Sequence, residues 1–113
     1  LALQISDLHV YEMDYVRQEL VKVGAEDKFF DHPMTYEEIA ENLYAGIHPR
    51  DVPALKAAWS RHVREGAPYR PEHRMARKDG KEVWAVTTAR MILDDAGKPV
   101  RLVGALQDIT EAK

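Results

Sequence analysis

Five histidines and no cysteine set the chemistry open to this chain of 113 residues. His73 stands in the run Tyr69-Arg70-Pro71-Glu72-His73-Arg74-Met75-Ala76-Arg77, where strand alternation puts it on one face with Tyr69, Pro71 and Met75. An imidazole there offers a hydrogen bond to a ligand or a charge change near neutrality, or else it is a core histidine satisfied by a neighbouring carbonyl or hydroxyl. His62 falls at helical spacing with Val52, Leu55, Trp59 and Val63, a stripe that must pack on another layer. His48 and Asp51 lie three apart with Pro49 between them, which serves a turn ahead of a helix better than a cation. Asp14 as general base with Tyr44 or Tyr69 as proton donor would make an isomerase-type pocket, although nothing in their spacing requires one. No nucleophile elbow, phosphate-cradling glycine loop or HExxH motif accompanies them. Trp59, Trp84, Met75 and Met91 read as core or cavity wall.

These side chains need elements to hold them. Residues 69–77, 82–93 and 100–109 read as three strands of a meander, with Asp79-Gly80 supplying one tight turn and residues 94–99 another. Leu102, Gly104 and Leu106 share one face of the last strand, and Val103, Ala105, Gln107 and Ile109 share the other. Both faces are largely apolar, which predicts cover on both sides. Two further strands are expected at residues 8–14 and 18–23, joined by a link without the glycine or asparagine usual in such turns. A single helical turn fits residues 25–30. Thr35 and Glu38 have capping-box spacing, which predicts a helix over residues 36–44 ending at Gly46. A longer helix is expected after Asp51 as N-cap, with Pro53 in its first turn and Gly66 as terminator. Asp108 and Glu111 repeat the capping-box spacing at the end of the last strand, so Asp108 and Thr110 are expected to cap an outgoing helix.

Composition narrows the class. The length suits one α+β domain spanning residues 1–113, able to build a core without metal or disulfide. Without cysteine there are no disulfides and no thiolate metal sites. No apolar run approaches the ~18 residues of a membrane span, and no leader is visible, so a cytoplasmic protein making no membrane contact through this segment is expected. Net charge is −3 with both signs interspersed, which gives no footprint for nucleic acid. Arg61, Arg64, Arg70, Arg74, Arg77 and Lys78 read as a solvated basic face. The apolar segment Leu1-Ala2-Leu3-Gln4-Ile5 suits a cover for the outer sheet face, from the same chain or a neighbour, and a parallel homodimer is expected.

Six short motifs occur in order: His48-Pro49-Arg50-Asp51 before the long helix, Glu72-His73-Arg74, Asp79-Gly80, Trp84, Gly104 and Asp108-Ile109-Thr110. None is specific alone, but together they resemble PAS sensor domains of the subclass with a PAC segment. The resemblance is good from about residue 36 onward and looser at Tyr11-Glu12-Met13-Asp14. It implies a five-stranded antiparallel sheet of order 2-1-5-4-3 with helices on its concave face, enclosing a small cavity. It also implies a non-catalytic role: sensing a ligand, redox state or light and passing the change to an attached effector, such as a histidine kinase or cyclic-dinucleotide enzyme. The chain is then a segment of a longer signalling protein. His73 takes a position where the family usually has tyrosine or phenylalanine. His62 lies where some haem-binding members place their axial ligand, and Leu106 stands where flavin-binding members have a glutamine. A flavin–cysteine adduct is excluded because no cysteine can form the bond. Candidate cavity residues are therefore Trp59, His62, His73, Leu102 and Leu106, with Asp108 and Thr110 at the output end. A ligand-free dimerisation and relay module with a filled core is the alternative.

Overall fold

The first and last strands of the protein lie side by side at the middle of one sheet. In the computed structural model, which describes residues 7–113, β1 (Leu8–Asp14) pairs with β2 (Glu19–Gly24) on one side and β5 (Pro99–Asp108) on the other. Beyond β5 come β4 (Trp84–Leu93) and β3 (Glu72–Arg74), giving the antiparallel order β2-β1-β5-β4-β3. Helices α1 (Tyr36–Glu41) and α2 (Val52–Glu65) fill the middle of the chain. The order and the strand beside β4 match the sequence expectation. Leu1 to Ile5, expected to cover the outer face, lie outside the described residues.

Local chemistry explains most element ends. The β1–β2 link has no glycine, yet it turns because Asp14 Oδ1 accepts from the amides of Val16 and Arg17, both at 3.0 Å, while Gln18 takes a left-handed φ of 57°. That leaves β2 to begin at Glu19, one residue later than expected. Between β4 and β5, Asp94 Oδ1 accepts from the Ala96 and Lys98 amides, and Gly97 supplies a φ of 82°. The capping box forms as expected: Glu38 N donates to Thr35 Oγ1, and Thr35 N donates to Glu38 Oε1, each at 3.2 Å.

Four expectations are corrected. Helix α1 stops at Glu41 and does not reach Tyr44, because Asn42 is extended at φ −149° and its side chain accepts from the Tyr44 amide at 3.0 Å. The third strand is far shorter than residues 69–77. Past Arg74 the chain turns to the α1–α2 connection, with His48 N donating to Arg74 O and Ala76 N donating to Gly46 O. Asp51 makes no cap for α2. Its carboxylate instead accepts from Arg74 N at 2.7 Å, Nε at 3.1 Å and Nη2 at 2.8 Å. Three charge-assisted bonds to a guanidinium fork and its own amide outweigh one bond to a neutral helix amide. Along α2, Leu55 is buried and Trp59 and His62 half-buried, but Val63 is 57 % exposed and leaves the stripe.

The Asp51–Arg74 clamp ties the start of α2 to β3 on the far side of the sheet. The Arg74 guanidinium and amide hold the Asp51 carboxyl at about 2, below its ordinary value. A carboxyl depressed in the folded state stabilises above its unfolded value and loses that contribution as pH falls towards the folded one. Asp51→Asn is expected to lower the unfolding free energy by about 1–2 kcal/mol near neutral pH, allowing for partial exposure of the pair. The gap between wild type and variant should close as pH falls from about 4 to about 2. Urea titrations across that range check it, and an equal gap at both ends would contradict the clamp.

Candidate functional site

Alternation turns one set of strand side chains toward the helices: His9, Tyr11 and Met13 from β1, Thr87 and Ala89 from β4, Leu102, Gly104 and Leu106 from β5. Gly104 is needed here for space. A Cβ at that position would collide with the Tyr11 ring. On the opposing layer, Phe30 lies equally close over Gly46, whose φ of 84° also favours glycine. The aromatic rings thus settle into two gaps left by glycines.

Two packed clusters form between the layers. One gathers Met13, Met34, Ile39 and Leu102, the other Phe29, Met75, Ala85 and Leu106, and Tyr11 and Phe30 pack against both. Close by is a cavity of about 50 Å³, with Trp59, Tyr69, Leu102 and Leu106 in its wall. Trp59 and Tyr69 meet edge to face at 4.9 Å. No aspartate, glutamate, lysine or arginine lines it. Burial pushes the Tyr11 hydroxyl up to about 12, and it raises Tyr44 and Tyr69 as well, so the phenols are neutral hydrogen-bonding groups.

Of the five expected cavity residues, the structure places Trp59, Leu102 and Leu106 in the wall and His62 and His73 outside it. His73 is completely buried between β3 and β4, and its Nε2 shares a 2.6 Å hydrogen bond with the Thr87 hydroxyl. Burial lowers its pKa, so the imidazole is held neutral there. His62 turns its Nδ1 to the Ala67 carbonyl at 2.7 Å, just past the end of α2, and its ring lies tilted against Trp59 at 5.2 Å. Neither the volume of the cavity nor this engaged histidine fits a haem. His48 and Asp51 are also occupied, the first by the Arg50 amide and the second by Arg74. No group of three or more histidine, aspartate or glutamate side chains suited to a metal occurs among the described residues. For acid–base chemistry, Asp14 is used by the β1–β2 turn and stands away from the cavity lined by Tyr44 and Tyr69.

Sequence reasoning missed His9. It lies on β1 in phase with Tyr11 and Met13, is 2 % exposed and lines the cavity. Its rings for company are Tyr11 and Phe30, each at 6.1 Å, and Phe29 at 6.4 Å. Its Nδ1 has no hydrogen-bond partner among the described residues. The alternation of residues 8–14 already put it on the Tyr11 face, and that was the available signal.

After the last strand, where an output end was expected, the capping box is absent. Residues Thr110–Ala112 form one 3₁₀ turn without a side-chain cap. Asp108 Oδ1 instead accepts from Thr110 Oγ1 at 2.6 Å and Thr110 N at 2.9 Å, and the Thr110 hydroxyl accepts from the Trp84 amide at 3.1 Å. A strand-exit carboxylate with a hydroxyl two residues on closes this local loop more readily than it reaches an amide of a turn this short. The pair therefore fastens the chain's departure to the first residue of β4. Lys113 adds a second hold, with Nζ 4.7 Å from the Trp84 ring centre and 2.5 Å from Glu72 Oε1.

Comparisons with known proteins agree with this fold. A sensory box histidine kinase/response regulator from Burkholderia thailandensis superposes with a TM-score of 0.69 at 19% identity, covering 95% of this chain and 80% of that one. The N-terminal domain of a diguanylate cyclase with PAS/PAC sensor from Marinobacter aquaeolei gives 0.68 at 16% identity, over 93% of this chain and 97% of that one. A PAS domain from Colwellia psychrerythraea gives 0.67 at 17% identity, over 92% and 87%. No curated protein matches the sequence. The family model described as PAS fold matches residues 33–106, well over half the chain, and the chain belongs to the PAS family.

Proposed function

We propose that this domain is a sensory module that admits a small ligand between the sheet and its helices and relays the event to a C-terminal effector. The observation that carries the reading is the charge-free cavity walled by Trp59, Leu102 and Leu106, on the same strand that ends in the Asp108–Thr110 fastening. Leu102 and Leu106 alternate along β5 toward the exit, so a shift at the cavity wall reaches the outgoing chain through one strand. A ligand moves the domain between states only by its difference in affinity for them. Solved structures with this fold come from a histidine kinase and a diguanylate cyclase, which supports an effector of either kind. The relay reading, in which the core detects nothing itself, is favoured by the small volume of the cavity.

The outer sheet face supports self-association. Val21 and Val23 on β2 are 56 % and 65 % exposed, and Val10, Ile92, Val103 and Ala105 line a shallow apolar groove beside them. No helix among the described residues is long and apolar enough to cross a membrane.

Three outcomes are expected. In a thermal-shift screen of small uncharged metabolites, a true ligand at one hundred times its dissociation constant adds about 2.7 kcal/mol of stability, and silence across a broad library selects the relay reading. Thr110→Val removes the hydroxyl that accepts from Trp84, so amide exchange at Trp84 should quicken while ligand affinity stays put; unchanged protection there would refute the fastening. In sedimentation at high micromolar concentration the domain should run as a dimer, and a monomer would contradict the role given to the outer face.

A further inference from the structure

We propose that His9 is the polar anchor for a neutral, single-ring aromatic ligand bearing one hydrogen-bonding group, of the phenol or indole class. The inference rests on the sensory reading and names the chemistry of its ligand.

The wall decides against charge. An ion entering a space lined by aromatic and aliphatic side chains would shed its water with no counter-charge to meet it, which costs far more than the burial of its carbon skeleton returns. Aromatic rings on several sides favour a flat, polarisable guest through edge and face contacts. The cavity of about 50 Å³ admits no large cofactor as it stands. It borders Leu43, which is 36 % exposed in the connection after the six-residue α1, so a guest of one ring is accommodated by displacing that side chain outward.

The polar groups of the wall are the Tyr11, Tyr44 and Tyr69 hydroxyls, the Thr87 hydroxyl and the His9 imidazole, and the fully buried atom among them without a partner is His9 Nδ1. The hydroxyl of Thr87 is taken by His73 at 2.6 Å, whereas His9 Nδ1 is buried and without a partner. Such a nitrogen costs free energy until something bonds to it. The groups that act on the imidazole do not supply a partner: Lys22 and Glu26 bond each other at 2.9 and 3.0 Å, Lys22 also donates to Met34 O, Glu26 accepts from Met34 N, and the Val23 backbone lies beside the ring without giving Nδ1 a hydrogen bond of acceptable geometry. A phenol hydroxyl or an indole N–H satisfies the nitrogen in its acceptor tautomer. His9 faces Leu106 across the central strand pair, and Leu8 faces Gln107, so the anchor sits beside the last turn of pleat before Asp108.

Phenol and toluene, nearly equal in shape, separate the anchor from the cavity. Binding is measured by calorimetry or ¹⁵N-edited spectra on the whole domain, with benzoate as the charged comparator. Phenol is expected to bind about three- to tenfold tighter than toluene, the range a neutral hydrogen bond spans, with benzoate weaker than both. In His9→Leu the phenol preference should disappear while toluene still binds; in His9→Gln part of it should return. In wild type, the His9 Nδ1 resonance should move with phenol and stay with toluene, which keeps the test valid if a variant fails to fold. A phenol preference that survives His9→Leu, an unmoved Nδ1 resonance, or preferential binding of benzoate overturns the anchor alone. Absence of binding by all three probes overturns the aromatic ligand class together with the anchor, while the sensory reading stands or falls on the broad metabolite screen.

Discussion

β1 and β5 come from opposite ends of the described chain, yet their backbone ladder occupies the centre of the sheet, from Leu8 opposite Gln107 to Asp14 opposite Arg101. Closing so long a loop is entropically unfavourable, and the cost is met by burying the two strands between neighbours on both edges. Everything else hangs on that pairing. It fixes which side chains of β1 and β5 share a face, brings Tyr11 across Gly104, and sets His9 against Leu106. It also leads the outgoing chain away from the middle of the sheet, where a change in strand position is felt on both sides.

The core built on this pairing treats its two buried histidines differently. His73 is closed off: Thr87 answers it from the adjacent strand, and burial keeps it neutral. His9 lies deep in aromatic surroundings with one nitrogen unanswered. Burial depresses its pKa too, so neither imidazole brings a charge into the space between the layers. The result is an uncharged interior whose polar groups are tyrosine and threonine hydroxyls and the His9 imidazole, which differs from the site expected around His62 and His73. Those two residues hold the frame: one secures the end of α2, the other joins β3 to β4.

Much of the fold was legible because it is written in local signals. Asp94 and Gly97, the Thr35–Glu38 box and the left-handed Gly66 at φ 71° each act within a few residues, and alternation along residues 100–109 gave the inner face correctly. The misreadings share a cause. Asp51, the far end of β3 and the end of α1 are governed by partners that the chain brings close only on folding, or by a side chain outcompeting its own helix. An aspartate before a helix looks like a cap until an arginine from another strand arrives. Asp108 was misread for a more local reason, since the Thr110 hydroxyl and amide two residues on take its carboxylate before any helix amide can. His9 went unremarked because a histidine flanked by Leu8 and Val10 differs little from any other member of a buried strand until the cavity beside it is seen.

The distribution of the two tryptophans has an optical consequence. Trp59 stands in the cavity wall against Tyr69, while Trp84 lies at the chain's exit beneath the Lys113 ammonium and beside the Arg74 guanidinium. One indole sees the half-buried aromatic wall of the cavity and the other sees two cations at the end of the chain. The chain thereby carries two indoles in contrasting surroundings, one at the cavity wall and one at the end of the last strand, whose fluorescence reports on different parts of the fold.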